Sequence, residues 1–297
     1  MAERRWLWLA YWLLLATPAF SQPPATSDEP EEPDFFFFTG GPYTQKKNSP
    51  QIIWANRWFL ARSPGFSARE YEGAGRFEWG LTDRLEADFE FGALAVRERT
   101  LGVTTFSGGG ADDLLFGVRY RLLREDSAPF TLTTGPQVIA PLASRRNGLG
   151  TGKVGYAWDL AVAKDWGGPL FLISSANLRL TPGVPAFPDS SGPKFDLTRI
   201  AWGTALGWRA LERPAAEGVN HDIHVFFELA GAREDSLAGG TRERSTALLF
   251  SPGLRYGFLS RAGRLAEIGF AFPVGLTGSA PDWGLVLQIQ YELPSLF

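Results

Sequence analysis

The stretch Trp283-Gly284-Leu285-Val286-Leu287-Gln288-Ile289-Gln290-Tyr291-Glu292-Leu293 alternates its side chains with a period of two, and the sequence closes soon after on Phe297. On a strand, Leu285, Leu287, Ile289, Tyr291 and Leu293 share one face, and Gly284, Val286, Gln288, Gln290 and Glu292 share the other. One apolar and one mostly polar face is the pattern of a strand between lipid and an aqueous lumen. A last strand ending on an aromatic residue is expected to be read by barrel-assembly machinery, with Phe297 as the signal.

Composition agrees with that reading and removes several alternatives. The 297 residues include no cysteine, one methionine, two histidines and 34 glycines, with a formal charge of -3. Without cysteine there are no disulfides, thiolate metal sites or cysteine nucleophiles. Near-neutral charge leaves no basic face for nucleic acid, which binds by displacing counterions from phosphates. Mean hydropathy lies close to zero, and in a barrel that is uninformative because the apolar residues occupy every second position.

The first 21 residues have the form of a secretory signal peptide: Arg4 and Arg5, an apolar run from Trp6 to Ala16, then the small residues Ala19 and Ser21 around Phe20. The run is about eleven residues, short of the roughly 20 that span a bilayer. Residues 22–50 form a second region, first rich in proline and acid, then carrying Phe35, Phe36, Phe37 and Phe38. Its acidic part cannot bury enough apolar surface to fold alone. The four phenylalanines are expected either against the barrel rim and membrane interface or, if the segment is plug-like, inside the barrel. Residues 51–297 are the expected barrel.

From residue 51 about twelve segments have the roughly 9 to 11 residues of a tilted membrane strand. They are 51–62, 68–81, 84–97, 113–124, 129–142, 153–165, 169–181, 195–210, 222–233, 244–259, 264–276 and 283–295. Connections alternate short and long, with Thr82-Asp83 among the short ones and 98–112, 143–152, 182–194 and 234–243 as external loops. The brief connection at Pro64-Gly65 and the longer one at 211–221 do not fit that alternation. An all-β, antiparallel up-and-down transmembrane barrel in the bacterial outer membrane follows, in contact with outer-membrane lipid. No loop is long enough to fold inward in the manner of oligomeric porins, so a monomer is expected.

Charges concentrate on one parity: Glu70, Glu72, Arg76 and Glu78 on the second segment, Glu86, Asp88 and Glu90 on the third, and Arg119 and Arg121 on the fourth. A basic side chain at the lipid midplane costs about 2–4 kcal/mol, so this parity faces the lumen. Acid beside base on neighbouring strands permits cross-strand pairs that either fill a narrow lumen or polarise a constriction. Asp159, Asn177, Arg179, Arg199, Arg209, Glu228, Arg255, Glu267, Gln288 and Glu292 continue the polar interior. On the opposite parity, Trp79, Tyr120, Trp158, Trp202, Trp208, Tyr256, Trp283 and Tyr291 are candidates for the aromatic girdle, where an apolar ring and a polar tip both find partners.

The stretch Glu78-Trp79-Gly80-Leu81-Thr82-Asp83-Arg84-Leu85-Glu86 resembles the family described as the MetA pathway of phenol degradation, a group of outer-membrane proteins often labelled transporters. Asp112-Asp113-Leu114, Gly117-Val118-Arg119-Tyr120-Arg121-Leu122, Pro136, Pro141, Leu149-Gly150-Thr151-Gly152 and Asn177 continue the likeness in order across about residues 70–180. The resemblance implies a barrel that moves small, aromatic or apolar compounds across the outer membrane, and it supplies no binding residues. Ala140-Pro141-Leu142-Ala143-Ser144 departs from the Pro-Thr-Gly ending that the family tends to show on the fifth strand.

Chemical motifs are weak. His221 and His224 are three apart and fall on opposite faces of a strand, so they make no metal pair. Gly152-Lys153 would need glycine where Asn147 stands and Ser or Thr where Val154 stands to form a phosphate loop. No nucleophile elbow accompanies the histidines, and neither an enzyme nor a cofactor is expected. The leading expectation is a channel or facilitator for a small-molecule solute. The alternative is a closed structural or adhesion barrel that acts through its external loops.

Overall fold

Period-two alternation demands a partner on each side of every strand, because backbone N–H and C=O groups facing lipid have no water to bond. In the computed structural model, which describes residues 36–187, 192–213, 220–238, 240–259 and 265–293, the demand is met by closing the sheet on itself. The strands in chain order are β1 (Pro50–Ser63), β2 (Phe66–Thr82), β3 (Leu85–Thr100), β4 (Val103–Ala111), β5 (Leu114–Leu123), β6 (Thr131–Ala140) and β7 (Gly155–Asp165). They continue as β8 (Leu170–Pro185), β9 (Lys194–Arg213), β10 (Asn220–Ala238), β11 (Thr241–Leu259), β12 (Leu265–Ala271), β13 (Val274–Gly275) and β14 (Trp283–Glu292). Each pairs antiparallel with its neighbour, and β14 closes on β1 from Gln51↔Glu292 to Leu60↔Trp283.

Two staves are interrupted, so fourteen strands build a twelve-stave barrel. β4 and β5 lie end to end against β3, which pairs its upper half with β4 and its lower half with β5. The break falls at Asp112-Asp113, where the Asp112 carboxylate accepts the next backbone N–H at 2.7 Å. β12 and β13 lie similarly against β11, broken at Phe272-Pro273, where proline has no N–H for the ladder.

Two expected external loops are strand instead. In the region read as loop 98–112, β3 runs on to Thr100 and turns over Leu101 and Gly102, with φ of 50° and 81°. That left-handed pair is the geometry that lets a two-residue hairpin follow the strand twist. The region 234–243 likewise continues the β10–β11 ladder to Ala238↔Thr241. Polar, glycine-rich sequence hides such strands, because an extension above the membrane needs ladder bonds but no lipid-facing side chains. The connection at Pro64-Gly65 is a tight hairpin, with Ser63 paired to Phe66.

The outward face is an exposed apolar belt: Trp54, Phe91, Phe116, Val138, Leu160, Leu178, Ile200, Leu229, Ile268 and Ile289 are exposed. The inward face holds the core. Its buried cluster comprises Phe36, Phe37, Tyr43, Ala163, Phe171, Ile173, Ala205, Phe226, Ala271 and Val286. Three of these precede β1, so the described residues before the first strand, 36–49, enter the barrel. This overturns the rim reading of Phe36 to Phe38. The signal peptide, Phe35 and Phe297 lie outside the described residues.

Candidate functional site: an occupied lumen

The site is the lumen, and residues 36–49 run through it. One wall, built by β2, β3 and β5, is charged. Alternation places Glu78, Glu86 and Arg119 inward, and the register Glu86↔Arg119 brings them side by side. The Arg119 guanidinium donates to Glu86 at 2.9 Å and to Glu78 at 3.3 Å, and lies 3.2 Å from Asp88. Glu78 and Glu86 are fully buried. Glu78, Glu86 and Asp88 each offer an oxygen within 4.8 Å of the others, the spacing of a cation site, and Arg119 supplies the positive charge among them. Further up the wall, Arg76 donates to Glu90 at 2.9 Å, and Arg57 pairs with Glu72.

The charged wall holds the internal segment mainly through its backbone. Arg119 donates a second nitrogen to the Gly41 carbonyl at 2.9 Å, and Arg121 donates to the Thr44 carbonyl at 2.6 Å. Glu86 accepts the Gln45 N–H at 2.6 Å, and Thr133 of β6 donates to the Pro42 carbonyl. Where the segment meets β2, the N–H of Asn48 donates to Gly80 and that of Gly80 donates to Ser49. Gly80 is required there, because a Cβ would stand 2.0 Å from the Lys46 carbonyl oxygen.

The opposite wall, from β8 to β10, is aromatic with one acid at its centre. Phe36 meets Phe226 edge-on at 5.2 Å between ring centroids and Phe171 at 6.3 Å, and Phe37 meets Phe226 at 6.4 Å. Glu228, fully buried, accepts three consecutive backbone N–H groups: Phe37 at 2.8 Å, Phe38 at 3.0 Å and Thr39 at 2.9 Å. Small residues on the inward parity of β9 make the room. At Gly203 a Cβ would lie 2.7 Å from the Thr39 hydroxyl, and Ala205 beneath the rings is fully buried. Buried peptide N–H groups without a partner cost about 1–3 kcal/mol each, so one carboxylate that satisfies three of them is the main polar anchor of the segment.

Every residue expected on the charged parity between β2 and β5 faces inward: Glu70, Glu72, Arg76, Glu78, Glu86, Asp88, Glu90, Arg119 and Arg121 share the lumen register. They do not act as one group. Glu78, Glu86, Asp88 and Arg119 form a cluster, Arg121 holds the internal segment, and Glu70 lies toward the far rim opposite Phe59. Tyr120, Trp158, Trp202, Trp208, Tyr256, Trp283 and Tyr291 point outward and are exposed, and Trp79 points outward with less exposure. Of the two histidines, His224 is buried in the lumen beside Arg255, and His221 meets Tyr256 on the outer face. Sequence reasoning missed Phe171 and Phe226, and it gave Glu228 no special role. The available signal was aromatic residues on the lumen parity, which need something internal to pack against.

No family model matches the chain, and no curated protein does. Among solved structures, the COG4313 outer membrane channel from Pseudomonas putida F1 superposes with a TM-score of 0.53 at 17% identity, covering 84% of this chain and 97% of that one. The beta domain of the Bordetella autotransporter BrkA gives 0.50 at 14% identity, covering 82% and 98%. At these identities the likeness establishes the fold. Closed ladder, apolar outer belt and structural neighbours agree that this chain has the fold of an outer-membrane β-barrel.

Proposed function

We propose that the protein is a channel or facilitator for small molecules of the outer membrane, and that residues 36–49 are its plug. The observation that carries this is how the lumen side chains bond. Glu228, Arg119, Arg121, Glu86 and Thr133 spend hydrogen bonds on the backbone of one short segment. Withdrawal of that segment would leave a polar, charged conduit, with an aromatic patch on one side. A lumen built only for rigidity pairs its own walls and has no need of a threaded peptide.

The solute class follows from what the plug puts into the aromatic wall. Phe36 and Phe37 occupy a pocket formed by Phe171, Ile173, Ala205 and Phe226. An aromatic or apolar small molecule has the shape and chemistry to take their place, in keeping with the resemblance of residues 70–180 to the MetA-pathway group. Single-channel recording in planar bilayers tests the proposal with the full chain and with residues 36–49 deleted. The full chain should conduct weakly and the deletion strongly. A correctly folded deletion protein that neither conducts nor passes an aromatic solute into liposomes would sink it. That result would favour the closed structural barrel, whose extended β3–β4 and β10–β11 hairpins would then be the working surface.

A further inference from the structure

On the outer face of β1 to β4, four arginines stand just beyond the membrane aromatics. Strand register fixes their side: Trp58, Leu60 and Arg62 share one parity of β1, and Arg69 and Tyr71 share the matching parity of β2. Ala95, Arg97 and Arg99 follow on β3. Toward the barrel midplane this face carries Trp54 and Phe91, and next Trp58 and Tyr71, whose rings lie 5.5 Å apart. Above them come Arg69 and Arg97, and then Arg62 and Arg99. This end of the barrel is opposite the terminal segment that leads into β1, so in the outer membrane it is the external one.

Arg69 and Arg97 are direct cross-strand partners, with Cβ atoms about 4.5–5.5 Å apart by sheet geometry. Like charges in that position repel. All four arginines are exposed, and none makes a side-chain ion pair with a carboxylate among the described residues. Arg97 donates to the Thr104 hydroxyl at 3.4 Å, and Asp282 accepts the backbone N–H of Arg62 at 2.6 Å. A groove of about 490 Å³ joins the two layers, with Trp58, Tyr71 and Trp283 among its walls, and its charged lining is Arg62, Arg69 and Arg97 with the single acid Glu70.

We propose that this face binds the phosphate groups of an outer-leaflet lipid, with the acyl chains against the apolar belt below. Trp and Tyr mark the headgroup level, so the arginines above them sit where lipid phosphates lie. A guanidinium binds phosphate through two parallel hydrogen bonds, and a phosphate between Arg69 and Arg97 converts their repulsion into attraction. A free anion would satisfy the charges but would leave the aromatic groove unfilled.

The test uses the full chain in phosphatidylcholine nanodiscs, with diphosphoryl lipid A titrated in and detected by native mass spectrometry. Tight retention of diphosphoryl lipid A is expected, falling about tenfold in R69Q/R97Q, in line with loss of charge-assisted hydrogen bonds. Dephosphorylated lipid A should bind weakly to both proteins. In lipid-A-free detergent the same double variant should unfold at a higher temperature than the parent, because the repulsion is gone. R69Q and R97Q singly carry the measurement if the double variant does not assemble, and R124Q, on the opposite rim, should bind as the parent does. Unchanged retention in the arginine variants would overturn the proposal, as would retention indifferent to lipid phosphorylation. Displacement by millimolar inorganic phosphate would also overturn it, since it would mark an anion site without lipid selectivity.

Discussion

The two walls of the lumen hold the same peptide by different physics. On β2, β3 and β5 a buried arginine with three carboxylates reaches out to single backbone carbonyls, while on β8 to β10 two phenylalanines are buried and one carboxylate gathers three N–H groups. The charged wall keeps its own ion pairs when the peptide leaves, and Arg119, Arg121 and Glu86 each give up one bond to it. Glu228 and the Phe171–Phe226 pocket are satisfied only while it stays. In the proposed channel, closure therefore depends mainly on the aromatic wall, and the integrity of the barrel on the charged one.

The largest effect that can break this comparison is deletion of residues 36–49, expected to raise unitary conductance by more than tenfold. An unchanged conductance would mean that the lumen is closed by its walls alone. Next, R119A strands Glu78, Glu86 and Asp88 without their shared cation and should destabilise the barrel by about 3–5 kcal/mol, as removal of one partner from a buried ionic group does. Urea unfolding in lipid vesicles measures it, and a loss under 1 kcal/mol would show that the cluster is hydrated. E228Q keeps the shape but weakens three charge-assisted bonds, at about 1–3 kcal/mol for the plug. The open fraction in single-channel records should rise while global unfolding hardly moves. If instead the whole barrel loses stability, the division of labour between the walls is wrong. The smallest change is expected at Arg76 and Glu90, whose side chains are 41% and 29% exposed. E90Q should cost about 0–1 kcal/mol, as solvated pairs do, and its main readout is a modest shift in ion selectivity.

Much of this was legible in the residues. Alternation from Trp283 to Glu292 marks β14 and its two faces, and the same parity rule places Glu78, Glu86 and Arg119 inside and Trp158, Trp202 and Tyr291 outside. The extensions of β3, β4, β10 and β11 were not legible. Thr104, Thr105, Gly108 and Gly109 have no apolar face to show, and strand pairing there rests on backbone bonds alone. The interior aromatic pocket was also missed, since Phe171 and Phe226 look like lipid-facing residues until the register assigns their parity.

By itself the sequence determined the number of staves, the two faces of each and the polar character of the interior, because a period of two is a local property that side-chain chemistry displays directly. Only the tertiary structure decided what fills the interior. Residues 36–49 have no periodicity of their own, and their path is set by groups distant in the chain: Glu228 lies 191 residues from Phe37, and Arg119 lies 78 from Gly41. Such contacts exist only once the barrel has closed, so no local pattern can announce them.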